Sequence, residues 1–148
     1  MSIYSVRGNQ TVVARTVLTV IATATIRPRI KRITGKNVGA VTLDSQIEVL
    51  VQRITTAGTT TALTPAATDP NDPAATFIAG SNASAEPTYT ANTLQVSLIF
   101  NPRGQDVWQA YDPSAEIILP AVAANGIGAL LNTLGGGTTV VIEATVQQ

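Results

Sequence analysis

Apolar and polar residues alternate along several segments of the chain, and this period of two is typical of half-buried β-strands. Residues 44–54, 93–100 and 138–146 show the alternation most clearly. In the second of these segments, the positions expected to face a core are Leu94, Val96, Leu98 and Phe100. Residues 10–26 are predicted to form a further strand, because β-branched residues are too frequent there for a helix.

Shorter strand-like segments lie at residues 107–111 and 116–119, and residues 1–9 are expected to form either a first strand or a docking arm. Residues 121–134 carry an Asn-Gly hairpin signal, and their glycines argue against a short helix. Turn composition marks two further ranges, 34–39 and 135–137. About seven or eight strands separated by turns predict an all-β fold, which we expect to be an antiparallel β-sandwich or jelly-roll-like single domain over residues 1–148.

A long stretch rich in Thr, Ala and Pro, residues 55–93, separates two of the predicted strands. Two Asp-Pro steps flank a turn in it, and proline restricts both its own backbone and that of the preceding residue. Side chains of Asp69, Asn71 and Asp72 suit a rigid turn better than a calcium loop or a catalytic acid pair. Because structureless loops of this length are uncommon, we expect one long ordered loop, part of which pairs as short strands or packs on a neighbour.

Composition narrows the possible chemistry. The chain has no Cys and no His, which excludes disulfides, thiolate or imidazole metal sites and Ser-His-Asp triads. The acidic residues are scattered and mostly lie beside turns, so we predict no enzymatic activity, no cofactor and no metal site. The most apolar early segment, residues 12–26, is interrupted by Arg15 and is too short to span a bilayer, so we predict no membrane association.

Charge is scarce and unevenly distributed. Charged residues make up 12% of the chain, about half the usual share, which indicates either a surface that meets another protein or a coat of neutral polar residues. Residues 1–53 hold eight of the nine basic residues and only two of the nine acidic ones. This asymmetry favours pairing of the two ends within the fold or between subunits over orientation on a charged partner.

A basic strip, residues 27–32, reads Arg-Pro-Arg-Ile-Lys-Arg, with Arg27, Arg29 and Lys31 expected on one face. Pro28 lacks an N–H group and predicts an edge strand or a bulge, where charges discourage unwanted strand pairing. Contact with an acidic partner is the alternative interpretation. Direct binding of nucleic acid is disfavoured, because no aromatic residues interleave with these basic ones.

Five segments resemble a group of small tailed-phage virion proteins, the capsid decoration or cement proteins. They read YSVRG (4–8), RITTAGTTTALTP (53–65), DPNDPAA (69–75), AEPTYT (85–90) and PAVAANGIG (120–128). The resemblance covers most of the chain, but it is compositional and includes no catalytic motif. The basic strip and the glycine turn at 135–137 depart from it.

The resemblance implies a β-sandwich bound in many copies to the exterior of a phage head that is assembled in the host cytoplasm. Its partner would be the major capsid protein, and symmetry favours a homotrimer first and a homodimer second. The chain's only tryptophan, Trp108, is expected to pack in the core or at a subunit contact. The candidate contacts with the capsid or between subunits are Tyr4, Arg27, Arg29, Lys31, Arg32, Asp69, Asn71, Asp72 and Trp108. Two alternatives stay open: another virion component from the tail, neck or fibre base, and a carbohydrate-binding β-sandwich.

Overall fold

Two antiparallel sheets pack face to face in the computed structural model, which describes residues 1–148. This confirms the predicted all-β sandwich. One 3₁₀ turn, Pro113–Ala115, interrupts the strands. The strands are β1 Ile3–Gln10, β2 Arg15–Ile21, β3 Arg29–Asn37, β4 Ile47–Thr56, β5 Thr59–Leu63, β6 Ala66–Ala67, β7 Ile78–Ala85, β8 Thr88–Phe100, β9 Gln105–Gln109, β10 Ile117–Ile118, β11 Gly126–Thr133 and β12 Val140–Gln147.

The first sheet has the order β10-β3-β12-β1-β6, and β9 pairs with β3 beside β10. The second has the order β5-β7-β2-β11-β4-β8. Apolar side chains from the facing sides of both sheets form one core, which removes their surface from water and stabilises the sandwich. The chain contains no helix that is long and apolar enough to cross a membrane.

Eight of the strands follow the strand order of a jelly roll. One sheet contains β1-β12-β3-β9 and the other contains β2-β11-β4-β8. Along the chain, these strands alternate between the sheets at every step except from β4 to β8, which lie side by side. This arrangement agrees with the jelly-roll-like fold expected from the sequence.

The polar stretch 55–93 is ordered, as predicted, but most of it forms strands. Between β4 and β8, the chain adds β7 to β2, then β5 to β7, and places β6 against β1. Both sheets are therefore widened at the same side of the sandwich, and residues 68–77 are the longest segment without strand structure. The close pairing of β5 with β7 requires glycine at position 80, because a Cβ there would clash with Thr60 Oγ1 at 2.1 Å.

Other local predictions need correction. The strand expected at 10–26 is limited to Arg15–Ile21, whereas residues 1–9 do form a first strand, between β12 and β6. The residues of the predicted turn 34–39 belong to β3 as far as Asn37. Glycine is needed at position 35 of that strand, because a Cβ there would clash with the Phe100 ring at 2.7 Å from Cε1.

The helix alternative for residues 121–134 is wrong, since β11 occupies most of that range. Leu94, expected to face the core, is 52% exposed. The β4–β8 register shifts between Leu94 and Val96, because these two residues pair with Gln52 and Val51, which are adjacent in β4. This irregularity turns Leu94 outward, while Val96, Leu98 and Phe100 are buried as predicted.

Candidate docking surface

The basic strip does not form one surface, because its cations diverge. β3, which carries most of the strip, lies between β12 and the pair β9 and β10, so the edge-strand prediction is wrong. The bulge alternative is confirmed, because the β3–β12 register shifts between Ile30 and Arg32. Pro28 precedes the strand, and its carbonyl accepts a hydrogen bond from the Leu119 N–H at 2.9 Å. Proline thus lies where no ladder donor is needed.

Arg29 and Lys31 are held by Glu116. Lys31 Nζ donates to Glu116 Oε1, and Arg29 Nη1 donates to Oε2 at 3.3 Å. The Lys31 hydrogen bond is the largest cause of a lowered pKa for the Glu116 carboxyl, and burial opposes it. Both cations are therefore held within the chain, although one carboxylate balances only one of their two positive charges.

Glu143 pairs with two other cations on the outer side of the first sheet. Its Oε1 lies 2.8 Å from Lys36 Nζ and 3.6 Å from Arg7 Nε. All four ion pairs of the chain join a base from residues 1–53 to an acid from the remainder, which confirms pairing of the two ends within the fold. The side chains of Arg7, Lys36 and Glu143 line a groove of about 570 Å³. Arg32 also lines this groove, and it makes no ion pair.

The prediction that Tyr4 is a surface contact is wrong, because its side chain is completely buried. Its hydroxyl donates to the Pro73 carbonyl at 2.7 Å and accepts from Gln148 Nε2 at 3.1 Å. Its ring meets Phe77 edge-on, with centroids 5.6 Å apart. Tyr4 therefore anchors the loop 68–77 to the first sheet.

The predicted rigid turn at Asp69 is present. Asp69 Oδ1 accepts from the Asn71 N–H at 2.9 Å and from Asn71 Nδ2 at 3.2 Å, and the Asp72 N–H donates to the Asp69 carbonyl. Trp108 is half-buried on β9 and packs against the core, in line with its predicted role as a packing anchor. No group of three or more acidic, His or Cys side chains is placed to hold a metal ion.

The strongest docking feature is one that the site predictions missed, the edge strand β8. This strand of thirteen residues pairs with β4 on one side only and contains neither a charged residue nor a proline. We call residues 94–100 the β8 edge; β8 runs in register with β4 over residues 96–100, and a register shift separates Leu94 from Val96. Natural proteins usually protect edges with charges or proline; β8 itself contains neither, although the Asp106 carboxylate on β9 accepts from the Ile99 N–H.

Apolar side chains accompany the unpaired backbone of the β8 edge. Leu94 and Ile99 are 52% and 47% exposed. The Ile99 N–H donates to Asp106 Oδ2 at 2.9 Å, so it points away from β4, and the N–H of Ser97 faces the same way. The Ile99 N–H is thus occupied by Asp106, and the Ser97 N–H is a donor of this edge that makes no hydrogen bond to a side chain.

The first half of β8 is held differently. Tyr89 lies across Gly128, where a Cβ would stand 2.6 Å from the tyrosine oxygen. The Thr16 hydroxyl donates to Glu86, so the Tyr89 hydroxyl donates to Thr16 at 2.6 Å. Burial raises the pKa of the Tyr89 hydroxyl, which keeps it a proton donor. Tyr89 thus covers the outer side of β11 near β2, and the β8 edge stays open.

Aromatic side chains do not form a carbohydrate platform on any face. Tyr111 is strongly exposed, but Tyr4, Phe77 and Phe100 are buried and Trp108 is half-buried. Comparison of the chain with protein-family models, curated proteins and solved structures gave no match.

Proposed function

We propose that this chain is a structural protein that docks on other protein subunits through its β8 edge, without enzymatic activity. The observation that carries the proposal is an uncharged edge strand with two half-exposed apolar side chains, Leu94 and Ile99. An unpaired strand offers backbone hydrogen bonds to an added strand, and apolar side chains supply contact area.

We further propose that its partner is the major capsid protein and that it decorates the exterior of a phage head as a cement protein. The support is the resemblance of residues 4–8, 53–65, 69–75, 85–90 and 120–128 to such proteins. Many weak contacts, repeated by the symmetry of a shell, would bind the protein by avidity and oppose expansion of the head. A homotrimer on a symmetry axis fits this role best, and a homodimer second.

Reconstitution on stripped phage particles tests both levels of the proposal. Wild-type protein is expected to rebind in hundreds of copies and to restore the stability of the particles to heat. Ile99→Lys places a charge on the β8 edge and is expected to lower the bound copies by about tenfold, since a desolvated unpaired charge is costly. Val12→Lys is the matched control, because Val12 is 53% exposed in the turn between β1 and β2 and lies away from the edge.

Three outcomes would count against the proposal. Equal loss of binding in both lysine variants would remove the β8 edge as the docking surface. About a dozen copies or fewer per particle would assign the chain to the tail, neck or fibre base instead. Unchanged heat stability of particles that lack the protein would contradict the cement role.

A further inference from the structure

A cleft of about 390 Å³ lies at one end of the second sheet, where segments distant in the sequence meet. Arg53 and Thr55 come from the end of β4, and Thr90 from the first half of β8. Arg27 comes from the link between β2 and β3, and Asn125 from the link between β10 and β11. None of the ten residues that line the cleft is acidic, although two are arginines.

Neither arginine has a carboxylate partner in the chain. Arg27 is exposed and takes part in no ion pair. Arg53 is half-buried, and its Nη1 donates to the Ile118 carbonyl at 2.8 Å. Desolvation lowers the pKa of the Arg53 guanidinium, which shows that a positive charge is held partly away from water without a compensating anion.

The wall around Arg53 is fixed by hydrogen bonds. The Thr93 hydroxyl accepts from the Arg53 N–H at 3.2 Å and donates to the Thr90 carbonyl at 2.6 Å. Thr55, Thr90 and Asn125 add side-chain donors that make no hydrogen bond within the chain. Donors that the chain itself does not use, beside an uncompensated charge, can be offered to a bound anion.

We propose that this cleft binds an oxyanion, a carboxylate or a phosphate, between the guanidinium groups of Arg27 and Arg53. Guanidinium groups match the geometry of both anions and form charge-assisted hydrogen bonds with them. The groove on the first sheet is less suited to this role, because the Glu143 carboxylate lies in it, pairs with Arg7 and Lys36 and would repel an anion. The site does not depend on docking through the β8 edge, so either proposal can fail without the other.

Titration of the ¹⁵N-labelled chain, followed by NMR, tests the cleft with two probes, inorganic phosphate and a hexaglutamate peptide. Saturable shifts are expected at the amides of Thr55, Thr90 and Asn125. Arg27→Gln is expected to weaken binding about tenfold, the effect of losing one charge-assisted hydrogen bond. Arg103→Gln serves as the matched control, since Arg103 is an exposed arginine outside the cleft that makes no ion pair.

The two probes separate the possible sources of the anion. Saturation by phosphate alone assigns the cleft to a free anion, and tighter binding of hexaglutamate assigns it to an acidic protein segment. Absence of saturation with both probes, or equal weakening by Arg27→Gln and Arg103→Gln, would overturn the proposal. Arg53→Lys is a second test variant. It keeps the positive charge but loses the planar guanidinium that can form two parallel hydrogen bonds, so it is expected to weaken binding without changing the fold.

Discussion

Glu116→Gln tests whether one buried carboxylate fastens β10 to β3. The Glu116 side chain is 2% exposed, whereas its partners Lys31 and Arg29 are 35% and 46% exposed. The residue directly precedes β10, which pairs with β3 at Ile30 and Arg29. The ion pairs therefore add to a strand contact that is only two residues long.

The expected loss follows from this difference in exposure. Hydrogen bonds to charged groups contribute about 1.5–3 kcal/mol each when buried. Because both cations reach solvent and can be rehydrated, screening reduces that contribution, and we expect Glu116→Gln to lower the free energy of unfolding by about 1–2 kcal/mol at pH 7. For a chain of this size, that corresponds to a fall in Tm of about 4 °C.

The same carboxylate makes the loss depend on pH. The pKa of Glu116 is lowered in the folded state, so its stabilisation is present above the unfolded pKa, about 4.3, and is lost as the pH falls through the folded pKa. The difference in free energy between wild type and Glu116→Gln is therefore expected to be largest at neutral pH. It is expected to shrink progressively below about pH 4.

Urea unfolding followed by circular dichroism, at a series of pH values from neutral to acid, measures this difference. Glu143→Gln is the control, because Glu143 also bridges two cations but is 38% exposed, and we expect a loss below about 1 kcal/mol. A difference that is independent of pH, or a Glu143→Gln variant that is as unstable as Glu116→Gln, would refute the reasoning.

Two further substitutions test the packing. Tyr4→Phe removes the donor to the Pro73 carbonyl and is expected to cost about 1 kcal/mol in urea unfolding, whereas Tyr111→Phe, at an exposed site, is expected to change stability by less than about 0.5 kcal/mol. Gly35→Ala places a Cβ 2.7 Å from Phe100 Cε1 and is expected to cost about 1–3 kcal/mol in the same assay. A stability equal to wild type in either Tyr4→Phe or Gly35→Ala would contradict the packing described.

Strict alternation of apolar and polar residues predicted the strands that have one apolar face and one polar face. Residues 138–146 have the apolar face and the outward Glu143 that β12 shows. In 55–93, the alternation is weak because Thr, Ala, Ser and Gly fill both faces, so the sequence predicts an ordered loop with some short strands but does not locate β5 and β7. Leu94 faces outward because the β4–β8 register shifts between it and Val96, which a period of two in the sequence does not reveal.

The site residues were harder to predict because they depend on long-range pairing. Arg27 and Arg53 meet in one cleft, although 26 positions separate them in the sequence. The sequence pointed to Tyr4 as a contact, but its ring is enclosed by the fold. A signal for the β8 edge was available, since Thr88–Phe100 is a run of thirteen residues without charge or proline.

The strand order also governs how fast the chain can fold. Among the eight strands with jelly-roll order, no neighbours are joined by a short hairpin. Even the closest pair along the sequence, Thr56 and Thr88, is separated by 32 residues. Each pairing must first close a long loop, which places folding in the range of milliseconds to seconds typical of such topologies. During that time, the uncharged segment of β8 is exposed before β4 covers it, so the yield of refolding is expected to fall steeply as protein concentration rises.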